Sequence, residues 1–154
     1  MTTNTLRAVV ATVALALPAI AHAHVSITPR ESMAGATEKY TIRIPTEDKV
    51  ATTGAEIEFP EGVIVETVQV PVGWKYDVTR KDDRIVSMRI QADVKPGEFI
   101  EAAFVARNPR DKIEIVWTLR QRFADGKVTD WTMGPRGIYP TAVTKLTPRP
   151  TATQ

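Results

Sequence analysis

The sequence predicts an all-β antiparallel sandwich that follows a cleaved N-terminal signal peptide. Three observations carry this. After residue 23 the chain falls into short runs in which apolar and polar residues alternate, the period of a half-buried strand. Clusters of turn-forming residues separate those runs. No stretch of the same region holds a 3.6-residue apolar period long enough for a useful helix.

The opening segment, MTTNTLRAVVATVALALPAIAHA at 1–23, reads as the signal peptide. Arg7 supplies the positive start, and Ala8–Leu17 is apolar. A membrane-spanning helix needs roughly 20 apolar residues, so this stretch is too short to span comfortably. Pro18 breaks the helix, and small residues then follow in the pattern a signal peptidase accepts. Cleavage after Ala21-His22-Ala23 leaves His24 as the first mature residue. Cleavage after Ala19-Ile20-Ala21 leaves His22-Ala23-His24. The expected compartment is periplasmic or extracellular. No later segment is long and apolar enough to span, so no membrane span is expected in the mature form.

The expected strands run in order through His24–Thr28, Glu38–Pro45, Ala55–Pro60, Val63–Val70, Trp74–Thr79, Arg84–Ala92, Phe99–Ala106, Lys112–Phe123 and Val128–Thr132. In AEIEFP at 55–60 the alternation sets Glu56 and Glu58 on one face and Ile57 and Phe59 on the other. Ile113, Ile115, Trp117 and Leu119 alternate as a core stripe, and Trp74 also reads as core. Turn signals include Pro-Glu-Gly at 60–62, Lys-Asp-Asp at 81–83 and Asp-Gly at 125–126. One domain is expected over 24–140. The Thr- and Pro-rich stretch 141–154 is expected to be a flexible tail.

Composition narrows the function. Lys+Arg number 20 against Asp+Glu 18, a net charge of +2, which suggests no nucleic-acid partner. The chain has no cysteine, hence no disulfide, thiolate metal site or cysteine nucleophile. Its only histidines are His22 and His24, so a Ser-His-Asp arrangement would depend on a terminal imidazole, a poor base to orient. The carboxylate pairs Glu56 with Glu58 and Asp82 with Asp83 read as a solvated strand face and a hairpin turn. The chain is read as not an enzyme.

Metal binding suits the terminus better. A free N-terminal histidine offers its α-amine and ring Nδ1 to one ion. Two such nitrogens suit copper, which tops the divalent first-row affinity order. The amine's ordinary pKa of roughly 7.7–8.0 makes the competing proton easy to displace. A cut before His22 would give a different copper(II) chelate, with histidine at position three. The rival reading is that a terminal histidine is a leftover of processing.

Several stretches together resemble the YcnI-like family of copper-binding proteins, domain of unknown function 1775. They are HVSITPRES (24–32), EKYTIRIPTED (38–48), TTGAEIEFPEGV (52–63), VPVGWKYDV (70–78), KPGEFIEAAFVARNP (95–109) and IVWTLRQRFADGKVTDWTMGP (115–135). The resemblance implies an immunoglobulin-like or cupredoxin-like sandwich whose N-terminal histidine holds copper(II), Cu2+, with a glutamate and a tryptophan nearby. Carried onto this sequence, those are His24, Glu56 and Trp131, with Glu38 and Glu47 open as alternative carboxylates. Met133 reads as packing and not as a ligand. Some members of the family carry a C-terminal membrane helix; this chain ends in TPRPTATQ, which favours a free periplasmic protein. The implied role is a metallochaperone or copper store in copper trafficking or import, handing the ion to a membrane copper transporter or a cuproenzyme. The alternatives are an adhesive sandwich without metal and a copper monooxygenase. The last usually needs a second histidine further along, and none follows His24.

Overall fold

The computed structural model describes residues 24–47, 49–132 and 141–150. The proposed signal peptide, His22 and Met133 lie outside these residues. Among the described residues there are eleven strands and no helix. They are β1 (Ser26–Thr28), β2 (Glu31–Met33), β3 (Thr37–Pro45), β4 (Thr52–Glu58), β5 (Ile64–Gln69), β6 (Lys75–Lys81), β7 (Arg84–Val94), β8 (Phe99–Arg107), β9 (Glu114–Phe123), β10 (Val128–Trp131) and β11 (Ala142–Thr147). No helix of the described residues is long and apolar enough to cross a membrane.

The strands form two layers. One runs β1-β3-β8-β5; the other runs β6-β7-β4-β9. β10 and β11 share the far edge of β9, and β2 lies beyond β11. The layers join where Val65 of β5 meets Ile85 of β7. On the opposite side β11 is tied to the β1–β2 link: the Thr144 hydroxyl donates to the Pro29 carbonyl (3.0 Å), and the Lys145 amide to that of Arg30 (2.8 Å). Every pairing is antiparallel except β11 with β2.

The alternation expected from the sequence sets the core. Tyr40, Ile42 and Ile44 of β3 face inward with Ile100, Ala102 and Phe104 of β8. Ile57, Met88, Trp117 and Leu119 meet them from the other layer. The Trp117 ring lies 4.8 Å from Tyr40 and 5.4 Å from Phe104, tilted against both, which is a favourable aromatic geometry. Polar tips buried with these rings are satisfied. Trp117 Nε1 donates to Thr144 Oγ1 (3.0 Å), and the Tyr40 hydroxyl to Asn108 Oδ1 (2.7 Å).

Two expectations are corrected and one strand is added. Residues 142–147 are not a loose tail but strand β11, with Ala142, Thr144 and Leu146 buried. The alternation in AVTKLT outweighs the threonine and proline content around it, because both partners of the strand are remote in sequence. Glu31–Met33 forms β2, too short to read as a strand without its partner. Ile113 is 79% exposed, so the core stripe of β9 starts at Ile115.

The β6–β7 hairpin closes on two residues, Asp82 (φ 48°) and Asp83 (φ 61°), between the paired Lys81 and Arg84. Positive φ at both positions is the type I′ turn that best matches strand twist, and Asn-Gly is its preferred pair. Asp82→Asn combined with Asp83→Gly should stabilise the fold by about 0.5–1 kcal/mol. A rise in thermal midpoint checks this. Burial pushes the Tyr40 pKa up to about 12, partly offset by its bond to Asn108. A raised pKa means the folded protein keeps a proton that the unfolded chain loses. The associated stability is therefore complete below about pH 10 and is lost between about pH 10 and 12. Denaturant melts across that window should show a steeper loss in the wild type than in Tyr40→Phe.

Candidate metal centre

His24 is the first described residue and is exposed at the mouth of the sandwich, while Val25 beside it is buried. Its ring centroid lies 6.5 Å from that of Trp131, with the planes tilted by 55°. These two residues, 107 positions apart by number, meet because β10 runs along the edge of β9 toward the start of β1. Trp131 pairs with Leu119 of β9, shares its inward face, and is 6% exposed.

The indole is held from behind. Trp131 Nε1 donates to Gln121 Oε1 (3.1 Å). The amide nitrogen of Gln121 donates to the Pro45 carbonyl (2.9 Å) and to Thr52 Oγ1 (2.8 Å). Thr46 Oγ1 also donates to Thr52 Oγ1 (2.8 Å). Gln121, Thr46 and Thr52 are all essentially buried. Sequence reasoning missed Gln121. The available signal was a glutamine at an inward position between Leu119 and Phe123, since buried amides require partners.

Glu56 is not brought to His24 and Trp131. It pairs with Arg120 of β9, whereas Trp131 pairs with Leu119, and neighbouring positions on a strand face opposite ways. The Glu56 carboxylate is held on the outer face by Arg89 (3.2 Å to each oxygen) and Arg122 (3.6 Å). Cross-strand pairing there lines up Asp77, Arg89, Glu56, Arg120 and Asp130, charges of alternating sign over five strands. Glu38 also lies elsewhere. It accepts a bond from Ser32 (2.8 Å) and sits seven residues before Pro45, about 23 Å along the strand at 3.3 Å per residue.

Of the three candidate carboxylates, Glu47 is the one that follows the strand end opposite the terminus. β1 pairs with β3 with Ser26 opposite Arg43. Continued two residues, that register sets His24 across from Pro45, and Glu47 follows two residues later. Ile44 and Thr46 are buried while Glu47 is exposed, so Glu47 turns to the outside, as His24 does. Beside His24 is a cleft of about 280 Å³, also lined by Ser26, Arg30 and Thr141.

Among the described residues, no three His, Cys, Asp or Glu side chains gather closely enough to hold a metal ion. Side chains alone therefore make no closed site here. The donor set fits a metal only if the backbone contributes. Cleavage before His24 would do this, turning an amide nitrogen, which coordinates poorly, into an amine. His24 would then supply two nitrogens and a nearby carboxylate an oxygen, a mixed set suited to copper(II).

Comparison with known families decides the relationship. The model of the domain of unknown function DUF1775 matches residues 24–152. The chain belongs to the DUF1775 family. The match starts at His24 and runs through β11, which places that strand inside the family's domain. The copper-binding protein CutI of Bacillus subtilis is 34% identical over 130 residues, covering 82% of this chain. The chain spans 64% of the length of CutI. A crystal structure of a Nocardia farcinica protein, described as having an immunoglobulin-like fold, superposes with a TM-score of 0.66 at 26% identity. It covers 80% of this chain and 97% of the other. A non-cellulosomal cohesin from Archaeoglobus fulgidus has a TM-score of 0.53 at 14% identity, covering 80% of this chain and 90% of its own, a likeness of fold alone. This DUF1775 chain is thus an all-β sandwich of immunoglobulin-like architecture.

Trp131→Phe keeps an aromatic ring beside His24 but leaves the buried Gln121 Oε1 without its donor. An unpaired buried acceptor costs about 1–3 kcal/mol. A loss of that size in chemical denaturation checks the role of the indole nitrogen.

Proposed function

We propose that this DUF1775 protein is an exported copper(II)-binding protein. It holds one ion through its mature N-terminal histidine and acts as a chaperone or store that passes copper to a membrane transporter or a cuproenzyme. The observation that carries the reading is the exposed His24 ring against the buried Trp131, at the point where the family's domain begins. The 34% identity to a copper-binding relative supports the choice of metal.

In this reading His24 chelates through its α-amine and Nδ1. Copper competes with a proton on the amine, so binding strengthens as pH rises toward 8. Trp131 forms an aromatic wall whose face attracts a cation and whose bulk limits access of water and reductant. The carboxylate is Glu47 and not Glu56, because the two arginines on Glu56 already neutralise it on the far face. No redox or hydrolytic step is assigned, and the protein is read as a carrier and not an enzyme.

The test is intact mass of the exported protein, followed by copper(II) titration. The mature chain should begin at His24 and retain one copper. His24→Ala and acetylation of the α-amine should each abolish tight binding. Glu47→Gln should weaken it by about tenfold or more, while Glu56→Gln should leave it unchanged. Copper at a hundredfold excess over Kd should stabilise the wild type by about 2.7 kcal/mol. Undiminished binding by the acetylated chain would overturn the chelate, and absence of retained copper would leave a sandwich that works without metal.

A further inference from the structure

We infer that Gln121 is the positioning residue of this centre: one buried amide sets both the aromatic wall against His24 and the strand end that launches Glu47. The inference rests on the copper reading for its purpose but not for its geometry.

The orientation of the amide is not a free choice. Trp131 Nε1 is a donor only, so it must face the Gln121 oxygen. The Pro45 carbonyl is an acceptor only, so it must face the Gln121 nitrogen. The second hydrogen on that nitrogen goes to Thr52 Oγ1, which also accepts from Thr46. A flipped amide would set donor against donor and acceptor against acceptor. Gln121 thereby links β10, the end of β3 and the start of β4 in one arrangement.

Both parts of the proposed site hang on it. Trp131 is the ring that His24 packs against. Pro45 lies across from His24 by register, and Thr46 is the residue before Glu47. One Gln121 side chain bonds both the indole and this strand end. Asparagine would be too short to span from β9 to Pro45 and Trp131 together. Glutamate could accept from the indole but, ionised, could not donate to the Pro45 carbonyl.

The experiment compares wild type, Gln121→Met and Tyr40→Phe. Met keeps the length and apolar bulk but removes all three hydrogen bonds. Tyr40→Phe deletes a buried hydrogen bond at the other end of the sandwich and controls for general destabilisation. The first readout is the nuclear Overhauser contact between the His24 and Trp131 rings in the copper-free chain beginning at His24. The second is copper(II) affinity with the electron paramagnetic resonance spectrum. Gln121→Met should lose the ring contact, weaken copper by about tenfold or more and change the spectrum, while Tyr40→Phe changes none of these. An intact ring contact in folded Gln121→Met, with copper affinity within about twofold of wild type, overturns the inference. If Gln121→Met fails to fold, Gln121→Asn takes its place, since its amide is too short to reach Pro45 and Trp131 together, with the same ring contact as the deciding readout. A wild type with the ring contact but no copper affinity sinks the copper reading and leaves the positioning role to be decided by the ring contact alone.

Discussion

The Trp117 ring, the largest fully buried side chain, packs on the stacked pair Tyr40 and Phe104 and so seats one layer of the sandwich on the other. A sheet with one apolar face has to bury it against something, and here the burial is concentrated on three large rings, Trp117 tilted against the stacked Tyr40 and Phe104. Phe59 extends the cluster, 5.0 Å from Phe104. Once β9 is seated on β3 and β8 through Trp117, the register of β9 is settled. The positions of Leu119, Gln121 and Phe123 along the inward face follow from it.

From that seat the sandwich runs to two polar ends of different character. At one, Asn108 accepts from the Tyr40 hydroxyl and donates to Ser32 (2.9 Å) and the Met33 carbonyl (3.0 Å). At the other, Gln121 bridges Trp131, Pro45 and Thr52. Both are buried amides with their hydrogen bonds made, as low-dielectric surroundings require. The Asn108 network closes on Glu38 and the strands around it, whereas the Gln121 network opens onto His24. The same physical device therefore locks one end and furnishes the other.

The outer face of the larger layer follows a third logic. Its acids and bases alternate across five strands, with Arg120 bound to both Glu58 (2.5 Å) and Asp130 (3.1 Å). Exposed pairs of this kind contribute little singly, about 0–1 kcal/mol each. Their larger effect is on specificity: opposite charges directly across the ladder favour this register. Glu56 belongs to that ladder, and its place there separates it from the terminus.

Most strands were legible in the sequence because a period of two is a local property: each residue in EKYTIRIP or AEIEFP declares its face by its neighbours. β2 and β11 were not, because a three-residue strand and a strand inside a Thr- and Pro-rich stretch acquire their form from partners far away in the chain. The candidate site divides in the same way. Sequence alone determined that Glu56 faces away from Ile57, that the chain's histidines lie at 22 and 24, and that a tryptophan follows Asp130. It could not determine which face of one strand coincides with which face of another, because that depends on non-local register. Only the tertiary structure decided that His24 meets Trp131, that Glu56 lies on the far side, and that the amide of Gln121 bonds both Trp131 and the end of β3.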